Sequence, residues 1–242
     1  MRVLAIGAHP DDVEIFCSGT LIKCVERGDT VIICYACSGD LGHMVIPPEE
    51  LKLIRSKEAE NAGALEGMEV IWGGFDDMNL FENNKEARDK MVDVIRYANP
   101  DLIITQNPVD YHADHSSISK LVFDASFTAT LPNYKCSVHR LTKDDTPAKL
   151  VPIYYMDTDA GMGFGQPDIY VDVSSLMDRK LKMLACHESQ VVWLKEHDGI
   201  DLAEICKSFL RNRGYQCGVE YAEAFKQCRV YLKGTPKRLL PE

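Results

Sequence analysis

Short apolar runs alternate with longer amphipathic stretches, and this alternation constrains the chain more than any other feature. Residues 3–8, 30–37, 70–72 and 102–106 read as buried strands; residues 14–27, 49–65 and 85–97 read as helices, as does a stretch that follows His115 and ends near Ala129. Gly28, Gly67 and Asn99-Pro100 supply the stops. Such an order calls for an α/β fold: a mainly parallel sheet with helices on both faces, joined by right-handed crossovers. The second half is less regular. Residues 131–150 read as a surface excursion, 152–156 as a fifth strand, 159–166 (DAGMGFGQ) as a mobile glycine-rich loop, 169–173 as a sixth strand, and 174–187 as a helix with Ser174 as N-cap. No repeat or Pro/Gly/Ser-rich linker divides the 242 residues, a length at the upper end of what one core supports. One domain over 1–242 is expected. Residues 1–130 would form its core, and 131–242 would add the remaining strands, a substrate loop and C-terminal helices.

Charge and cysteine usage narrow the setting. A net charge of −10 without a dense Lys/Arg run disfavours nucleic acid and anionic membrane as partners. No apolar run approaches the ~20 residues of a membrane span, and residues 1–9 are too short for a secretory signal, so a cytoplasmic protein starting at Met1 is expected. Nine scattered cysteines, an odd number, suit a reducing compartment. Cys34 and Cys37 have redox- or metal-type spacing, but they lie in a strand where residues three apart point to opposite faces. A structural role is therefore expected for them.

Chemistry concentrates after two strands. The first runs into His9-Pro10-Asp11-Asp12 and the fourth into Asp110-Tyr111-His112-Ala113-Asp114-His115. In an open parallel sheet, sites form at the carboxyl edge of the strands. Either cluster alone reads as turn chemistry. Together they place three His and up to four Asp at one edge, a set that suits zinc with an open position. A dinucleotide site would need G-x-G-x-x-G at the first turn. The chain has Gly7-Ala8-His9-Pro10-Asp11-Asp12 there, with carboxylates where phosphates would lie.

AHPDDVE at 8–14 and YHADH at 111–115 resemble the PIG-L/LmbE-like N-acetylglucosaminyl deacetylases. The likeness extends to SGTLIK at 18–23, IRSKEAENAGALEGM at 54–68, DVSSLMDRKLKMLACHESQ at 172–190 and YAEAF at 221–225, and is weakest across 131–150. The resemblance implies a Rossmann-like fold and one Zn2+ per chain held by His9, Asp12 and His115, with Asp11 as base. It also implies His112 facing the oxyanion, Asp114 orienting a ligand histidine, Arg55 contacting the sugar, and a homo-oligomer. The implied function is a zinc-dependent N-deacetylase acting on an N-acetylglucosamine-type sugar by metal-activated water. The alternatives are an amidase for larger acyl or thiol-sugar conjugates, or a binding module without catalysis.

Other expectations are local. The oxyanion donor is expected to be protonated His112, and either Asp11 or His112 would protonate the leaving amine. Apart from the family match, Arg55 reads as a surface ion pair with Glu58 or Glu60. Ser38-Gly39-Asp40 and Asp76-Asp77 reach the same edge and read as turns or pocket lining. His187 reads as a hydrogen-bonded core histidine in a stretch with Gln190. His43, His139 and His197 have no supporting context.

Overall fold

In the computed structural model, which describes residues 1–242, the apolar runs pair as parallel strands. β1 (Arg2–Gly7) lies between β2 (Thr30–Cys37) and β4 (Leu102–Thr105), with β3 (Glu69–Phe75) outside β2 and β5 (Ile153–Met156) outside β4. β7 (Ala222–Gln227) runs antiparallel to β5 and carries β6 (Ile169–Asp172), completing one sheet in the order β3-β2-β1-β4-β5-β7-β6. The protein is a single α/β domain. Alternation along β1 divides its core between two faces. Val3 and Ala5 pack under α2 (Ser18–Glu26), α3 (Pro48–Leu65) and α6 (Met177–Ala185), while Leu4 and Ile6 pack under α4 (Lys85–Ala98) and α5 (Ala113–Thr128). α7 (Glu188–Asp198) and α8 (Leu202–Cys217) lie on the first face, over α3 and α6. Strand order reverses between β1 and β4, and a crevice opens there at the carboxyl edge. No helix is long and apolar enough to cross a membrane.

Several local expectations are corrected. The helix read over 14–27 begins earlier and breaks: α1 (Asp12–Phe16) ends at Cys17, whose φ is −147°, and α2 starts anew. A buried ion pair at that break meets the orphan groups of both helix ends. Lys180 Nζ donates to the carbonyls of Glu14 (2.7 Å) and Ile15 (3.0 Å) and to Glu223 (2.7 Å), and Glu223 accepts from the amides of Gly19 and Thr20. Residues 174–187 divide into a 3-10 turn (Ser174–Leu176) and α6, and Ser174 is no helix cap. Its hydroxyl donates to Asp172 and accepts from the amide of Tyr221, tying together the ends of β6 and β7.

Cys34 and Cys37 fall in the same apolar cluster, at the end of β2 where the ladder to β3 shifts register. The 131–150 excursion is irregular, as expected, and is pinned by buried Asp89 and Asp93 of α4. These accept from the amides of Ser137, Arg140, Leu141 and Thr142. The glycine-rich loop is anchored by fully buried Phe164 and by a 2.7 Å bond from Thr158 Oγ1 to the Met162 carbonyl.

Candidate metal centre and active site

The turn after β1 is tight because Gly7 permits it: a Cβ there would stand 3.1 Å from Asp12 Cβ and Val13 Cγ2. The His9 amide then donates to Asp12 Oδ2 at 2.7 Å. Asp11 is held at φ 123°, a region that non-glycine residues rarely adopt. Arg55 from α3 holds the turn. Its Nη2 donates to the Pro10 carbonyl and lies 3.4 Å from Asp11 Oδ2, while Nη1 donates to the Gly39 carbonyl at 3.1 Å. Gly39, at φ 73°, has no room for a side chain, since a Cβ would come within 2.5 Å of Arg55 Nη1. Arg55 is therefore buried and faces the turn after β1. The surface pair with Glu58 or Glu60 does not form; Glu58 instead accepts from the amide and hydroxyl of Ser189.

The second cluster is positioned by its own capping. Asp110 Oδ1 accepts from the His112 amide at 3.0 Å, and His112 Nδ1 accepts from the Asp114 amide at 3.2 Å as the N-cap of α5. This places His115 in the first turn of α5, facing β1. The rings of His9, His112 and His115 pack with centroids 4.7–5.4 Å apart, and each offers a nitrogen within 4.8 Å of the others. Asp12 bridges two of them: Oδ1 lies 3.3 Å from His115 Nε2 and Oδ2 lies 3.7 Å from His9 Nδ1. The outward nitrogens meet carboxylates, His9 Nε2 meeting Asp114 at 3.2 Å and His115 Nδ1 meeting Asp110 at 3.2 Å. Carboxylate-backed imidazoles of this kind orient ligand nitrogens in metal sites.

The carboxylates favour positive charge at this spot. Burial alone would lower the His9 pKa, but Asp114 and Asp12 override it and raise the imidazole to about 9. Burial opposes charge on His115 too, yet Asp12 and Asp110 raise it to about 11. Burial would raise Asp12, but His115 and His9 hold it well below the usual carboxylate range. A divalent ion satisfies the same carboxylates by replacing those protons. Burial, with Arg55 opposing and Asp12 reinforcing, pushes Asp11 up to about 6. Burial and the neighbouring imidazoles of His9 and His115 lower the His112 pKa.

A cavity of about 660 Å3 joins His9, Asp11, Asp12, His112 and His115 with Arg55, Gln190, Asp77 and Asp159. Asp77 secures the loop after β2 by accepting from the amides of Gly39 and Leu41. Asp40 accepts from Ser38 and the Asp77 amide as turn chemistry, and Asp76 lies 3.8 Å from Lys52. His187 is fully buried, as expected, but neither ring nitrogen makes a hydrogen bond; Nε2 lies 3.2 Å from Glu14, whose other oxygen accepts from Tyr35. His43 and His197 have a context that the sequence did not reveal, both packing against Trp193. His139 lies beside Thr142, outside the site. Asp110 and Asp159 were not singled out from the sequence. The i, i+2 Asp-x-His spacing of an Asx turn could have flagged Asp110; nothing local flags Asp159.

Residues 4–126 match the model of the PIG-L family, GlcNAc-PI de-N-acetylase. The chain is 28% identical over 235 residues to diacetylchitobiose deacetylase of Thermococcus kodakarensis, covering 93% of this chain and 82% of that protein. It is also similar to the solved N,N'-diacetylchitobiose deacetylase of Pyrococcus horikoshii, with 26% identity, a TM-score of 0.78 and coverage of 93% and 82%. At 20% identity and a TM-score of 0.78, with 99% and 100% coverage, it shares its fold with GalB, a 4-carboxy-2-hydroxymuconate hydratase of Pseudomonas putida.

Proposed function

The chain belongs to the PIG-L family of GlcNAc-PI de-N-acetylases, and on that premise we propose that it is a zinc-dependent hydrolase removing the acetyl group from an N-acetylglucosamine-type sugar. One observation carries this reading. The Asp12 carboxylate meets two imidazoles, each backed by its own carboxylate, in the cavity that also holds Asp11 and His112.

His9, Asp12 and His115 would hold one Zn2+ per chain; two imidazoles and a carboxylate are a donor set zinc accepts, with a fourth position left open. When bound, the ion lowers the pKa of a coordinated water from 15.7 to roughly 7 and polarises an acyl oxygen. Asp11, kept close to neutral pH by burial, accepts the water proton at its carboxylate. His112 accepts the Asp114 amide at Nδ1, so its neutral tautomer carries the proton on Nε2 and donates it toward the developing oxyanion. Asp114 fixes the ring of His9, and Asp110 stands 3.2 Å from Nδ1 of His115 as its charge partner. Arg55 lines the cavity and acts on the substrate through Asp11 and the Pro10 carbonyl, the sugar contact that the resemblance implies being indirect. Protonation of the leaving amine falls to Asp11 or His112.

Residues 1–130 carry both metal motifs in this reading, and 131–242 complete the cavity. We place the protein in the cytoplasm, where nine unpaired cysteines stay reduced. We also read it as a homo-oligomer, on the strength of large apolar side chains left exposed at the surface, among them Met44, Val45, Phe81 and Met162. The test is acetate release from N-acetylglucosamine and N,N'-diacetylchitobiose by the zinc-loaded enzyme. Release is expected, and Asp11→Asn should lose about 10²- to 10⁴-fold in turnover while keeping its metal. Hydrolysis confined to bulkier amides would overturn the deacetylase reading, and turnover within a few-fold of the parent in Asp11→Asn would remove Asp11 as base.

A further inference from the structure

The cavity has two unlike sides. One side carries the His and Asp groups. The other is built by Ile15 and Phe16 of α1, Ile200, and the face of α8 formed by Leu202, Ile205 and Phe209. Positions 202, 205 and 209 recur at helical spacing, so one face of α8 forms a continuous apolar stripe toward the cavity. The charged residues Glu204, Lys207 and Arg211 lie off that stripe and make their contacts with one another or with Tyr221 and Glu220. A sugar ring needs hydrogen-bond partners for its hydroxyls, and none of these six side chains supplies a donor or an acceptor. Leu41, Met78 and Tyr111 continue the apolar surface outward and are exposed at the mouth.

We propose that the apolar side is a subsite for the aglycone, so that the substrate is an amphiphile: an N-acetylated amino sugar whose glycosidic substituent is an alkyl or similarly apolar group. The inference rests on the deacetylase reading, which assigns the small acetyl group to the metal side and leaves the remaining space to the amine-bearing half of the substrate. An acetyl group and one sugar do not account for a cavity of about 660 Å3 with an apolar flank. Water held against that flank has no polar partner, and its release on binding an apolar group is the driving force.

The test is a series of methyl, butyl, hexyl and octyl β-N-acetylglucosaminides, with kcat/KM measured for the zinc-loaded enzyme. A rise of up to about four-fold per methylene is expected while the chain lies on the stripe, the ratio that corresponds to ~0.8 kcal/mol per buried CH2. In Ile205→Thr and Phe209→Ser the slope against chain length should flatten. A flat series in the parent enzyme, with the methyl glycoside turned over, overturns the subsite and leaves the deacetylase reading intact. A preference for N-octanoyl over N-acetyl glucosamine would show that the stripe takes the acyl group, and would overturn both. Should no glycoside be hydrolysed, the deacetylase reading fails; calorimetric binding of octyl β-glucosaminide, weakened in Phe209→Ser, still tests the stripe, and absence of binding overturns it.

Discussion

In the proposed reaction Asp11 is the base, and Arg55 sets its properties. The guanidinium is the leading influence opposing the upward push of burial on this carboxyl, which together bring it to about 6. A base works only when deprotonated, so kcat/KM should fall as pH drops through the Asp11 pKa, with the acid limb at or below about 6 because a bound dication adds further positive charge. Arg55→Met removes the nearby cation and should move that limb upward in pH with zinc content unchanged, as read from a pH–rate profile beside elemental analysis. An unmoved limb would show that Arg55 is only scaffold. His9, Asp11, Asp12, His112, Asp114 and His115 were all legible in the sequence because each sits in a compact motif directly after a strand. The Asp110 contact to His115, the committed state of Arg55 and the presence of Asp159 in the cavity were not. Each depends on which segments meet in three dimensions, which no local pattern encodes.

Among the elements, the α1/α2 break is stabilised by an ion pair with no solvent exposure, Lys180 with Glu223. Lys180→Met would leave the Glu223 carboxylate buried without its cation, at a cost of about 3–5 kcal/mol, read as a lowered denaturant midpoint. Since α1 carries Asp12, zinc affinity should fall in the same variant. Helix α4 offers a second case. Burial would raise the pKa of Asp89, but hydrogen bonds from Lys85, Ser137 and Tyr134 win and hold it at about 2. Its unfolded value is ~3.9, so the stability it contributes is present above pH ~4 and is lost as pH falls toward about 2. Asp89→Asn should cost about 1.5–3 kcal/mol at neutral pH and flatten the pH dependence of Tm in that window. The sequence showed the strongly periodic elements to within a few residues. It missed the helix break, whose exposed helix-end groups are met by a long-range ion pair. β7 carries Ala, Glu, Lys and Gln rather than β-branched residues and becomes a strand only because β5 and β6 flank it.

For the molecule as a whole, the parallel sheet was readable from alternation alone, and the reversal of strand order beside β1 explains why two motifs far apart in sequence share one crevice. The antiparallel edge and the apolar flank from α8 belong to the second half, where periodicity is weak and packing decides. Because GalB shares the architecture, the fold by itself does not select hydrolysis; the side chains at the crevice do. The most direct test is therefore to locate the metal, by anomalous diffraction at the zinc edge on crystals of the zinc-loaded protein. The account predicts a single peak bonded to His9, Asp12 and His115, with Zn–N distances of about 2.0–2.1 Å. A peak held instead by His9, Cys37 and Asp77, the other group whose ligand atoms lie within 4.8 Å of one another, would contradict it, as would no peak in the crevice at all.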